Sequence, residues 1–445
     1  MARALMLAGL ACAAGCFHAT PYSTTATVAK WRSIHDTQSK SSSEAVRATG
    51  RALTVDDAYA LALERSPDVA ALEARADAAH ADVKTAGQLD NPQLRLTGFN
   101  VDDVIANQTT MNIGLRVPIP RPGTVRARVE GAKHSALGEA SWTEDAKRQL
   151  RARIETLYAR LAKHTADLEQ AERATLLRAL RRDEIAARAE QAVSTRLDVA
   201  MAQVLQAEAM QDQATIRDEL AAVENELRRM VGATDPVTFV IDSTALQVVD
   251  AELDRAVLTE RAMASRPELR AAHARIVEAQ SEAYVARSEA WPWFDWAQVQ
   301  YRAAPGSPPS AFGFGVALTL PIFSWNKGAI RASRATVRRR EQEERARIFA
   351  VAAEVEEALD RVERTGQRVE EIERDLLPQI EAATREAKAA LASGALDPMI
   401  ASEVDTREVD ARRLHLAAKL EHREAIIDLE AAVGAPITSN KAVRP

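Results

Sequence analysis

Phe312-Gly313-Phe314-Gly315-Val316-Ala317-Leu318-Thr319-Leu320-Pro321-Ile322 puts an apolar side chain at every second position. Met111-Asn112-Ile113-Gly114-Leu115-Arg116-Val117-Pro118-Ile119 does the same about 200 residues earlier. Successive side chains of a strand point to opposite faces, so each stretch has one greasy face and one small or polar face. A strand with lipid on one side and a water-filled lumen on the other has this pattern. The rest of the chain is charged and dominated by Ala, Glu, Arg and Leu, with 4% aromatic residues, which favours long helices over a mixed core.

Each clear strand has a companion just before it. In 294–302, Ala297, Val299 and Tyr301 are assigned to lipid, and Gln298, Gln300 and Arg302 to the lumen. The companion at 93–101 alternates less cleanly, because Phe99 falls on its polar face. Trp291, Trp293 and Trp296, with Phe294 among them, are candidates for an aromatic girdle at the lipid–water interface. The competing reading is a packed cluster where strand meets helix. The Pro-Gly-Ser-rich loop 304–310 is expected outside the cell.

The strand pairs belong to a tandem duplication. Leu63-Glu64-Arg65-Ser66-Pro67-Asp68-Val69 matches Met263-Ala264-Ser265-Arg266-Pro267-Glu268-Leu269, with the prolines 200 residues apart. Asn91-Pro92 matches Trp291-Pro292, Val117-Pro118-Ile119 matches Leu320-Pro321-Ile322, Leu197-Asp198 matches Leu396-Asp397, and Val231-Gly232-Ala233 matches Val433-Gly434-Ala435. The order is kept and the offset stays between 199 and 203. Each copy reads helix, strand, loop, strand, long helix, turn, long helix.

The helices are unusually long. The first spans roughly 55–89, with Thr54 as N-cap and Asp56 and Asp57 in its first turn, and Asn91-Pro92 stops it. After Pro122-Gly123 the pattern predicts about 60 helical residues, or about 90 Å at 1.5 Å per residue. Leu150, Ile154, Leu157, Leu161 and Leu168 keep a heptad seam there, as do Ile348, Val351, Val355, Val362, Val369, Ile372 and Leu376 in the second copy. Leu220, Val223, Leu227 and Met230 mark one returning helix, and Leu414, Leu420, Ile427 and Val433 the other.

The predicted organisation is a signal peptide with lipobox at 1–16 and an irregular tether at 17–53. Repeat 1 occupies 54–236, with strands near 93–101 and 110–119. A linker at 237–257, with β character in Val237-Thr238-Phe239-Val240-Ile241, leads to repeat 2 at 258–435. That copy has strands near 294–302 and 311–322, and a tail at 436–445 closes the chain. Arg3 supplies a positive n-region and residues 4–14 an apolar h-region. Ala13-Ala14-Gly15-Cys16 resembles a bacterial lipobox, which makes Cys16 the expected site of acylation, with palmitate among the attached chains. The other reading is an ordinary signal peptide cut nearby. The only other cysteine is Cys12, so the mature body carries no disulfide and no thiolate metal site.

Four strands cannot close a barrel, for which about eight are the minimum. Open sheet edges are not tolerated in lipid. The strands must therefore be pooled in an oligomer, and three copies would give twelve, an even number within the outer-membrane range. The uncharged run 4–17 is too short to span a membrane as a helix.

The ordered repeat, the strand pairs ending in Val117-Pro118-Ile119 and Leu320-Pro321-Ile322-Phe323, and Arg196-Leu197-Asp198-Val199 before a long helix resemble TolC-type outer-membrane efflux proteins. The likeness runs from about Thr54 to Ala435. It implies a mainly α fold of long coiled-coil hairpins plus a four-strand contribution to a trimeric twelve-stranded barrel. It also implies a lipid-anchored homotrimer in the outer membrane, extending into the periplasm, with a periplasmic adaptor and an inner-membrane pump as partners. Val117-Pro118-Ile119-Pro120, with Arg126 and Arg128 following, is similar to members serving pumps of the resistance-nodulation-division type. The function so implied is a passive exit duct for small molecules, drugs or metal ions, without bond chemistry or cofactor. The narrow end is expected at the helical turns, near 192–197 and 394–400, with Asp397, Glu403 and Asp405 as gate carboxylates. Ile400 stands where the family often has an acid, which shifts weight to Glu403. The alternative for all three is a solvated coiled-coil face.

Other functions have little support. The net charge of −6 gives no argument for nucleic acid. His415 and His422 are seven residues apart with no third ligand, and read as a surface pair. No phosphate loop, His-Glu-x-x-His run or nucleophile elbow occurs. The main rival is a periplasmic adaptor, which would carry one hairpin flanked by a β-rich lipoyl-like domain.

Overall fold

The computed structural model describes residues 23–33, 52–97, 111–232, 237–241, 245–246, 254–303 and 312–437. Cys16, Phe99, the 304–310 loop and most of the tether and tail lie outside them. Residues 24–33 form a short exposed helix where the sequence suggests irregular chain.

Repeat 1 runs α1 (Val55–Arg65), α2 (Pro67–Ala86), β1 (Gln93–Thr97), β2 (Met111–Pro118), α3 (Thr124–Glu190) and α4 (Arg196–Val231). Repeat 2 runs α5 (Arg255–Ser265), α6 (Pro267–Ser288), β3 (Trp293–Ala303), β4 (Phe312–Thr319), α7 (Lys327–Glu371), a π-helical turn (Ile372–Leu376), α8 (Leu377–Ala392) and α9 (Pro398–Val433). Where one helix is expected over 55–89 there are two. The residue before a proline is pushed out of helical geometry, and Ser66 sits at φ −67° and ψ 116°, ending α1 and capping α2 through its hydroxyl. Arg266 does the same before Pro267, without a side-chain cap.

The middle of each predicted heptad seam is a core, whereas Ile348 and Leu376, at the ends of the second seam, are exposed. In repeat 1, Ile154, Leu157 and Leu161 of α3 pack with Leu227 and Val231 of α4, and with Ala58 and Ala62 of α1. In repeat 2, Val351, Val355, Leu359 and Val362 of α7 meet Ile426, Leu429 and Val433 of α9. Leu414 is exposed, contrary to expectation, because α9 turns Ala411 and Ala418 inward instead. His422 is buried rather than on the surface, its Nδ1 3.1 Å from the Thr365 hydroxyl. The π turn precedes Pro378, which lacks the N–H that a regular helix needs.

The linker joins the first copy as a single bridge. Leu53 N donates to Thr238 O at 2.9 Å, and Val240 N to Leu53 O at 2.8 Å. At the base of the sheet, Arg121 Nη1 donates to the Ser288 carbonyl at 2.9 Å and also reaches that of Trp291. Gly123 begins α3 at φ +77°, and a Cβ there would lie 2.4 Å from the Tyr284 hydroxyl.

Helices near the sheet lie side by side in the order α2, α3, α6, α7. Further away, α3 packs with α4 and α9, and α9 packs in turn with α7 and α8. The strands make one antiparallel sheet ordered β1-β2-β3-β4. Its two edges, β1 and β4, have no strand partner among the described residues.

Candidate functional site

The register decides what each face of the sheet presents. Leu94 and Leu96 pair with Leu115 and Ile113. Leu115 and Ile113 pair onward with Val299 and Tyr301, and these with Phe314 and Phe312. Apart from Ile113, which is half-buried, these side chains are exposed, Phe314 at 82%. Exposed apolar patches beyond a few hundred Å² are rare on soluble monomers and mark a surface meant for protein or lipid. The opposite face carries Arg95, Asn112, Arg116, Gln298, Gln300 and Arg302. Glycines make room there: a Cβ on Gly114 would come within 2.8 Å of Gln298 Nε2, and one on Gly313 within 3.0 Å of Gln300 Nε2.

The aromatic candidates separate. Trp291 is exposed at the strand base. Trp296 is not on the apolar face: it shares parity with Gln298 and Gln300, pairs with Ala317, and lies under the Arg116 guanidinium at 3.8 Å. Trp293 packs at the junction, its indole Nε1 donating to Ile119 O at 3.1 Å. A bulge between Phe294 and Trp296 shifts the parity, so that Phe294 rejoins the apolar side opposite Leu318.

At the far end, the hairpins turn at 191–195 and 393–397. The second turn uses Gly394 at φ +75°. Asp397 caps α9, its carboxylate accepting from Met399 N at 2.7 Å. Glu403 is exposed and pairs with Arg407 one turn on, at 2.9 Å. Asp405 is only 6% exposed, held 3.2 Å from Arg181 Nε of α3. The expectation that all three acids face a pore therefore fails at Asp405, which faces its own subunit. Sequence reasoning missed the arginines that tie the helices together around it. Arg178 bonds the hydroxyls of Ser402 and Thr406, and burial pulls its guanidinium below its ordinary pKa against the opposing charges of Asp405 and Glu403. Arg413 of α9 reaches Asp212 of α4 at 2.8 Å. The signal was helical spacing: 178 with 181, and 402 with 405 and 406, each share a face.

No helix among the described residues is long and apolar enough to cross a membrane. One sheet face and its open edges are what the chain offers to lipid and to neighbours, which defines a strand-donating outer-membrane conduit subunit. The sequence profile of the outer membrane efflux protein family matches residues 58–233 and 258–435, and the chain belongs to that family. It is an outer-membrane efflux channel protein, in a family of channels rather than enzymes.

Solved structures share the fold, among them the following three. CusC superimposes with a TM-score of 0.71 at 18% identity, covering 86% of this chain and 92% of that one. VceC of Vibrio cholerae gives 0.69 at 17% identity, with coverage of 86% and 97%. The MtrE channel of Neisseria gonorrhoeae, in its open state, gives 0.69 at 17% identity, with coverage of 86% and 89%. No curated protein matches the chain.

Proposed function

We propose that three copies close the sheet into a twelve-stranded barrel and the helices into a periplasmic tunnel. The result is a duct through which small molecules leave the cell, driven by an inner-membrane pump and coupled by a periplasmic adaptor. The carrying observation is the apolar face from Leu94 to Val316, bounded by two edges without a strand partner among the described residues. Three copies of a four-stranded sheet supply twelve strands and leave no edge. The α2 and α7 helices end each subunit's helical layer, so they meet the neighbours as β1 and β4 do. The test is fractionation: the protein is expected in the outer membrane as a trimer on gels that dissociates on heating. Recovery as a soluble monomer overturns the duct.

Two finer readings belong here. Cys16 is the proposed acyl anchor: Cys16→Ala should abolish incorporation of labelled palmitate while the trimer still forms. Unchanged labelling removes the anchor. Glu403 is the gate carboxylate of choice, being exposed near the tip beside an exposed Ile400. Trp291 is proposed for the inner interface, where amphipathic indoles are favoured.

A further inference from the structure

We infer that the lumen of the strand wall selects anions, so that solutes passing it most readily carry carboxylate, phosphate or other negative charge. The inference rests on the proposal above that the polar sheet face lines the lumen. That face holds Arg116 opposite Gln298, Arg95 opposite Gly114, and Arg302 opposite Asn112. Because 116, 114 and 112 are successive positions on one face of β2, the three cations occupy successive levels, about 6.6 Å apart at two residues per step. A trimer repeats each level three times around the axis, giving stacked rings rather than one collar.

None of the three has a carboxylate partner among the described residues. Arg302 Nε donates to Asn112 Oδ1 at 3.3 Å, a neutral acceptor that leaves its charge uncompensated. Arg116 is braced by Trp296 beneath it, and its Nε is buried without a hydrogen-bond acceptor. The one acid at this end of β3, Asp295, lies at the strand base and is engaged by the Thr319 hydroxyl. Three cations against one acid give a net of two positive charges per subunit on this wall. Low-dielectric walls focus such a field into the water they enclose, and rings of Arg or Lys are the device by which pores favour anions. The same wall raises the energy of a bare cation, so a free metal ion is the disfavoured cargo.

The experiment uses the full-length trimer in planar bilayers under an about tenfold KCl gradient, at low ionic strength where the rings are least screened. Acids elsewhere in the tunnel act in series, so the deciding readout is the shift caused by changing the wall. Replacing Arg95, Arg116 and Arg302 together by Gln should lower the chloride-to-potassium permeability ratio by at least about threefold. The matching Lys triple, which keeps charge but not shape, should restore it. A Gln triple that conducts as a trimer with an unmoved reversal potential overturns the inference, as does an equal shift in the Lys triple. Absence of conducting pores from the unsubstituted trimer overturns the duct itself.

Discussion

Replacing Glu268 by alanine is expected to lower stability by about 3–5 kcal/mol, the usual cost of stripping one partner from a buried ion cluster. Glu268 is 2% exposed and Arg266 4%. Arg266 Nε lies 2.8 Å from Glu268 Oε1, a close ion contact without hydrogen-bond geometry. Arg347 of α7 bonds the other carboxylate oxygen, and Arg266 also reaches Glu354 of α7 and the Ala431 carbonyl of α9 at 3.2 Å. On the same carbonyl sits Arg148 of α3, itself tied to Asp145 at 2.6 Å. Four long helices thus share one charge cluster at the junction where α5 becomes α6. Without Glu268, Arg266, Arg347 and Arg148 crowd together with only Glu354 and Asp145 as counter-charges. Burial already draws Arg266 below its ordinary pKa, with Glu268 opposing the shift. The measurement is the guanidinium midpoint of the helical signal, against Glu363→Ala on an exposed face, for which a change within about 0.5 kcal/mol is expected. A Glu268→Ala midpoint equal to that control would mean the cluster is solvated in the assembled protein.

That cluster also shows where sequence reading stopped. The alternating strands, the prolines 200 residues apart and the heptad seams were legible, because each is a period that one face of one element imposes by itself. Charges carry no such mark: Glu268 occupies the place of Asp68 in the first copy, and only the packing of α6 on α7 reveals that the second-copy residue is buried. Asp405 was misplaced for the same reason, since its counter-charge Arg181 is 224 residues away. Trp296 illustrates a different failure. Composition favoured an interface girdle, whereas parity with Gln298 already placed it on the polar side. The aromatic stack with Arg116 then needed the β2–β3 register, which no single strand contains.

Asp405→Ala is expected to open the periplasmic end more than Glu403→Ala does. Asp405 joins α9 to α3 through Arg181, next to Arg178 bound to Ser402 and Thr406. Losing a hydrogen bond to a charged group costs about 1.5–3 kcal/mol. The truncation also leaves two cations at a seam with little water. If the hairpins must part for passage, a bias of that size multiplies the parted population about ten- to hundredfold. Glu403, by contrast, makes an exposed pair with Arg407, of the kind worth about 0.3–0.5 kcal/mol. Its removal should raise conductance only by taking one charge per subunit from the tip. Single-channel conductance and uptake of a large, normally excluded antibiotic report both effects. Arg181→Ala should reproduce the Asp405 result, and the double variant should add little to either single, because the pair acts as one contact. Should Glu403→Ala raise conductance while Asp405→Ala leaves it unchanged, the restraint lies in the ring of exposed acids and the α3–α9 seam is only a strut.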